Sequence, residues 1–303
     1  MKIILLFLII FSSVPVYSQI MNDSTVQAVT YWNQGQSYKY SIENETYQVS
    51  GTDTTSRLLI TYDVRVTVVD SSSESYTIRW DYSNFATSIT DSTIQNLMKI
   101  SEGLPVIFTI DPNGAYMELV NWREIKEFIT TVISALRKKY QDYPFMNAPL
   151  DKIESLYTTK ESIEATSVKD IRQFHNFYGA SYTLGFPGTG TVVLPNHYGG
   201  APLHAEVQAE LYQIDKDEDS FTLRYFQTIN EEELRTSMIQ HFSKITNSLP
   251  QDETSFNFES VKDENITASV IHISGWLLDS YQISKVTLDD NIKVETRNIR
   301  LVD

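Results

Sequence analysis

Glu74-Ser75-Tyr76-Thr77-Ile78-Arg79-Trp80 and Asp219-Ser220-Phe221-Thr222-Leu223-Arg224-Tyr225 match residue for residue in size and polarity, 145 positions apart. In each, aromatic and aliphatic side chains fall on alternate positions, and a period of two with one apolar face marks a half-buried antiparallel strand. Upstream, Val64, Val66 and Val68 alternate in the same way, as do Ala205, Val207, Ala209 and Leu211. The polar stretches Asp70 to Ser75 and Asp215 to Ser220 lie between the paired runs, so each copy predicts a hairpin. Gly35-Gln36-Ser37-Tyr38 recurs as Gly179-Ala180-Ser181-Tyr182, and Ile94 to Ser101 faces Ile239 to Thr246, all within one residue of the same offset. Matches at a single offset predict an internal duplication.

The plan continues beyond these blocks. Ile107 to Ile110 runs into Asp111-Pro112-Asn113-Gly114, and Val270 to Ile273 runs into Ser274-Gly275. Each predicts a strand entering a tight turn whose glycine takes positive φ. Asn121 with Glu124 three residues on reads as a capping box. Behind it, Ile125, Phe128, Ile129, Val132, Leu136 and Tyr140 share one helical face. Pro149 opens a second helical stretch, and Glu231-Glu232-Glu233 a third.

The expected class is therefore α+β: two related halves from an internal duplication, mainly antiparallel curved sheets covered by helices. The expected boundaries are a signal peptide over 1–18, a first half over 19–145, a helical connector over 146–176 and a second half over 177–303. The preferred picture is an open, curved sheet with helices laid into its concave face, and a ligand is expected either in a groove at the pseudo-two-fold seam between the halves or against the concave sheet, lined by aromatics.

The chain has 303 residues, with 39 acidic and 24 basic side chains for a net charge of -15, 41% apolar residues and no cysteine. Broad nucleic-acid contact is not expected, because neutralising phosphates needs clustered Lys and Arg, and the main such cluster is Arg137-Lys138-Lys139. Without cysteine there are no disulfides, thiolate metal sites or cysteine nucleophiles. Lys2, the apolar run Ile3 to Phe11 and the compact residues before Gln19 predict a secretory signal cleaved after Ser18. No later stretch is long and apolar enough for a transmembrane segment. The Gln19 start, the Lys/Asn/Ile/Tyr-rich composition and the acidic mature chain resemble secreted proteins of Bacteroidota. That resemblance carries no functional residues; the cleavable signal is what predicts a periplasmic or extracellular location.

Several motifs approach a chemistry and stop short. Gly179-Ala180-Ser181-Tyr182-Thr183 lacks the second glycine of a nucleophile elbow. Gly185 to Thr191 has the glycines of a phosphate loop without its lysine. Asp215, Asp217 and Asp219 have calcium-loop spacing, yet Ser220 and Phe226 occupy the positions that need Gly and Glu. Asp111 and Glu118 flank a turn, and His272 reads as a structural histidine. His204 and Glu206, with His197, could form a zinc site, although solvent-facing strand residues are the simpler reading and neither metal nor other cofactor is expected. The segment Gly185 to Pro202 differs in kind. It holds five of the eleven glycines and three of the nine prolines, and irregular loops on rigid scaffolds are common binding elements. Phe186, His197, Tyr198 and His204 are therefore the expected ligand-binding residues.

The expected function is a secreted, non-catalytic envelope protein that binds a lipid, a glycan or a protein partner. The alternatives are a secreted hydrolase with a carboxylate or histidine-metal site, and a structural or adhesion component.

Overall fold

A computed structural model describes residues 19–91, 95, 98–196, 198–246 and 258–302. The expected signal over 1–18, His197 and most of the Ile94 to Leu97 stretch lie outside the described residues. The described chain is mostly antiparallel sheet with few helices. A small sheet is built from β1 (Ile20–Asn22), β2 (Thr25–Gln27) and β8 (Ser181–Thr183). The large sheet takes β3 (Ser37–Ser50), β4 (Asp53–Ser71), β5 (Tyr76–Thr87), β6 (Val106–Ile110) and β7 (Tyr116–Leu119) from the first half. From the second half come β9 (Gly188–Leu194), β10 (Leu203–Asp215), β11 (Ser220–Ile229), β12 (Val261–His272), β13 (Leu277–Leu288) and β14 (Asn291–Leu301).

Across the large sheet the order is β7-β6-β5-β4-β3-β14-β13-β12-β11-β10-β9, antiparallel at every step and open at β7 and β9. Both halves meander across it in the same direction, each interrupted by a helical segment after its third strand. These segments are Lys99–Gly103, a 3-10 turn, and α5 (Glu231–Thr246). The two expected hairpins pair as read, Val66 opposite Trp80 and Leu211 opposite Leu223.

The expected seam is corrected. β3 hydrogen-bonds along β14 from Tyr40 opposite Leu301 to Ser50 opposite Asn291. The halves thus follow one another head to tail in one continuous sheet. They do not face each other across a two-fold, and no recess between paired sheets results.

Pleating gives the sheet two unlike faces. In the first half Val64, Val66, Val68, Ile78, Trp80 and Phe108 are fully buried on the inner face. Their neighbours on the outer face form ion pairs, Lys39–Asp63 at 2.8 Å and Arg79–Asp81 at 2.9 Å. Four helices lie between β7 and β8: α1 (Trp122–Lys139), α2 (Asn147–Ser155), α3 (Lys160–Ser167) and α4 (Lys169–Phe174). Of these, α1, α3 and α4 cover the inner face, while α2 packs on α1, its Leu150 in one cluster with Ile133. α5 packs instead on β10 and β12, where Leu234 and Met238 meet Leu203, Ala205 and Val261.

The main core is aromatic. Trp32 stacks on Trp276 at 4.1 Å, and Phe174 meets Tyr40 and Trp80 edge-on. The two expected glycine turns hold it closed, Gly114 with φ +98° and Gly275 with φ +83°. A Cβ on Gly275 would come within 2.4 Å of the Val29 carbonyl oxygen, so backbone excludes any side chain there.

One helix start differs from the expectation. The Asn121 side chain makes no cap; it is buried, accepting from the Ile107 N–H at 2.8 Å and donating to the Pro105 carbonyl at 2.8 Å. Two half-buried backbone groups, on β6 and just before it, compete for the amide and win, tying α1 to the sheet. A capping box forms at Thr159 and Ser162 instead, starting α3.

Candidate functional site

A cavity of about 360 Å³ lies between the inner face of β3 to β6 and helices α1 and α3. Its origin is local. Opposite Tyr62, β5 carries two residues, Asn84 and Phe85, because Asp63 pairs with Ser83 while Thr61 pairs with Ala86. Asn84 takes φ +59°, a conformation asparagine tolerates better than most residues, and it donates to Asp63 Oδ2 at 2.6 Å. This bulge turns Phe85 to the same face as Tyr82, three residues before it. Phe85 then stacks on Tyr62 at 4.6 Å, and Tyr62 meets Tyr82 at 5.6 Å. Across the gap α1 buries Ile125 in the core but leaves Phe128 and Ile129 half-buried, facing the cavity.

The other end is polar and largely closed to water. Arg297 Nε lies 3.0 Å from Asp170 Oδ1, and both side chains are under 10% exposed. The Tyr62 hydroxyl donates to Asp170 Oδ2 at 2.6 Å, so each carboxylate oxygen has a partner. Asn44 bridges the set, accepting from Arg297 Nε at 2.9 Å and donating to the Tyr62 oxygen at 2.9 Å. Gln173 of α4 donates to the Ser280 hydroxyl at 3.0 Å, locking α4 onto β13. Burial, then the Asp170 charge, pushes the Tyr62 phenol well above its usual range; Tyr82 is raised for the same two reasons. Both phenols therefore stay protonated as donors at neutral pH. Two cations on the lining, Lys169 and Arg297, are matched by two carboxylates, Asp170 and Glu295. The cavity thus offers aromatic and aliphatic walls, a neutral charge balance and a hydrogen-bonding floor.

The residues expected from sequence sit elsewhere. Phe186 is 76% exposed in the bend between β8 and β9. Tyr198 is half-buried beside α5, with its carbonyl 3.1 Å from His241 Nδ1. His204 is exposed, and Glu233 engages both its ring, at 2.9 Å, and its backbone N–H, at 2.7 Å. That N–H, ahead of the ring contact, holds the Glu233 carboxyl below its ordinary range. Tyr198 and His204 thus share the neighbourhood of α5, and none of the three lines the cavity. Among the described residues no three His, Asp or Glu side chains converge as metal ligands. Asp215 Oδ1 accepts from the N–H groups of Asp217 and Glu218, so the acidic triplet makes a hairpin turn. Gly179 to Thr183 leads into β8, and Gly188 onward is β9.

Sequence reading missed Tyr62, Phe85, Asp170 and Arg297. A signal for the bulge was present, since alternation breaks at Tyr82-Ser83-Asn84-Phe85. None was present for the Asp170–Arg297 pair, whose members lie far apart along the chain.

No protein-family model matches this chain, and no curated protein matches it significantly. Among solved structures, one described as lipid–protein interactions in lipovitellin is similar over 89% of this chain and 25% of its own, at 9% identity and a TM-score of 0.41. The chain thus spans a quarter of that structure's length, and a likeness at this level transfers neither fold nor function.

Proposed function

We propose that this chain is a non-catalytic binding protein that takes the apolar part of a lipid-like amphiphile into the cavity above β4 to β6. The observation that carries the reading is the cavity itself. Its volume falls within the range of small-molecule sites, and such sites combine mainly apolar walls with a few convergent polar groups. Tyr62, Tyr82, Phe85, Phe128 and Ile129 supply the walls, while Asn44, Asp170 and Arg297 supply the polar end. The Asp170 oxygens are both engaged, which suits a positioning role better than proton transfer.

Two wider expectations belong to the same reading. The leader pattern from Lys2 to Ser18 supports export, which N-terminal sequencing of the protein from its native host tests. The shared element order and direction of the two halves support descent from one copied unit.

The direct test is titration with N-phenyl-1-naphthylamine, a neutral fluorophore whose emission rises in an apolar site. The reading expects saturable enhancement with one site per chain, abolished in Ile129→Trp, where the indole fills the space. Phe128→Ala, which enlarges the cavity instead, should bind with altered affinity and a native far-UV spectrum. Absence of saturable enhancement in the natural chain would sink the reading.

A further inference from the structure

The inner face of the second half and of the adjoining strand β3 carries polar rows at positions where the rest of the first half is apolar. Tyr225, Thr267, Gln282, Arg297 and Asn44 stand opposite one another in turn on β11, β12, β13, β14 and β3. The adjacent row runs Gln227, Asn265, Ser284, Glu295 and Thr46. Asn44, Thr46, Glu295 and Arg297 also line the cavity, so both rows begin inside it.

These side chains bond along the sheet. Gln282 donates to the Thr267 hydroxyl at 3.0 Å, Asn265 to the Ser284 hydroxyl at 3.2 Å, and Tyr225 to Gln227 at 3.1 Å. Apolar cover stops on either side: α4 reaches β13 through Gln173 at Ser280, and α5 packs on Val261 and Leu203. Between these contacts Gln227, Asn265, Gln282 and Ser284 remain half-buried, within reach of solvent. Each primary amide has two donors and an acceptor with two lone pairs, so the bonds within the rows leave capacity unused.

Charge narrows the occupant. Beyond Arg297 the first row is neutral, and the cavity's own charges cancel. An anionic head would meet Asp170, Glu295 and Asp263, while a cationic head would meet Arg297 and Lys169. Closely spaced amides and hydroxyls that both donate and accept match a group with several hydroxyls. The Tyr225 ring adds an apolar plane with a polar tip.

We infer that these rows form the headgroup subsite of the cavity's ligand, and that the headgroup is an uncharged sugar linked to the apolar chain. The inference rests on the amphiphile reading above and specifies its polar part. The test is displacement of bound N-phenyl-1-naphthylamine from the full chain by octyl glucoside, octyl sulfate and octyltrimethylammonium, each below its micelle concentration. Octyl glucoside should displace the probe at a concentration about tenfold lower than either charged octyl compound, two hydrogen bonds of roughly 1 kcal/mol each being enough for that ratio. Gln282→Ala and Asn265→Ala should each weaken the glucoside by about fivefold and leave the probe's own affinity unchanged; Ser284→Ala serves as a third variant should either lose the native fold. Equal displacement by all three compounds, or a glucoside preference that survives the variants, would overturn the sugar subsite and leave the cavity reading standing. Failure of the probe to bind would remove both.

Discussion

β4 and β12 are long antiparallel strands of the same sheet, and their inner faces are opposites. β4 presents Val64, Val66 and Val68, all fully buried, and β12 presents Asn265, Thr267 and Ser269. Strand geometry cannot account for the difference, since both obey the same period of two. What differs is the layer above. The chain between β7 and β8 folds into four helices, and its buried side chains Ile125, Ile163, Ile171 and Phe174 join the core that holds β4 and β5. The second half receives α5 over one end and α4 at the other. Where helix cover is partial the face tolerates amides and hydroxyls: neighbouring side chains satisfy the buried Thr267 and Ser269, and water reaches the half-buried Asn265. The boundary between the regimes is where Arg297, Asp170 and Gln173 meet.

Substitutions can break or sharpen this contrast. The largest effect is expected at Trp80, fully buried on the covered side: Trp80→Ala should lower unfolding free energy by about 3–5 kcal/mol in urea titrations. Arg297→Leu should come close to it, at about 3–5 kcal/mol, because the Asp170 carboxylate is left inside without its partner. Adding Asp170→Asn should recover part of that loss, and a double variant no better than the single one would show that the pair is not the hinge between the two regimes.

His175 gives a third, pH-dependent difference. It is fully enclosed among Trp32, Phe108, Phe174 and Tyr178, and burial lowers its pKa to about 4. Its Nδ1 faces the Gly114 carbonyl at 2.8 Å, which assigns the proton to that nitrogen in the neutral ring. The unfolded chain takes up a proton near pH 6.5 and the folded chain only near 4, so stability rises with pH across that window. Acidifying from pH 7 to 4 should cost on the order of 3 kcal/mol through this ring alone. The difference between natural and His175→Phe stability curves should isolate it, and parallel curves would refute it. The smallest effect is expected on the polar side, where Thr267 is buried but its partner Gln282 is only half-buried. Thr267→Val should change stability by about 1 kcal/mol or less, because Gln282 can turn to water. A loss equal to that of Trp80→Ala would mean that the polar row is a structural core after all.

Much of the framework was legible along the chain. The alternation around Trp80 and Tyr225 identified both hairpins, and Asn113-Gly114 and Ser274-Gly275 marked the turns whose glycines the core requires. The apolar stripe from Ile125 to Leu136 identified α1. The residues that line the cavity were not legible, because Phe186, Tyr198 and His204 were chosen for a loop's composition, and composition does not report which sheet face a helix leaves open. Asn121 shows the same limit at one residue: a cap by sequence, it became a latch once β6 offered closer partners.

Local periodicity determined that this protein would be an antiparallel meander punctuated by helices, since alternation, turn glycines and helical stripes act over a few residues and need no distant contact. Where the helices settled was decided only in three dimensions. The stripe on α1 shows that one face is buried and does not name the strands it meets, and in the fold Ile125 joins the core of β4 to β6. That choice created the cavity, brought Asp170 to Arg297 and left the amides of the polar rows half-buried, because long-range packing selects among arrangements that local sequence leaves equivalent.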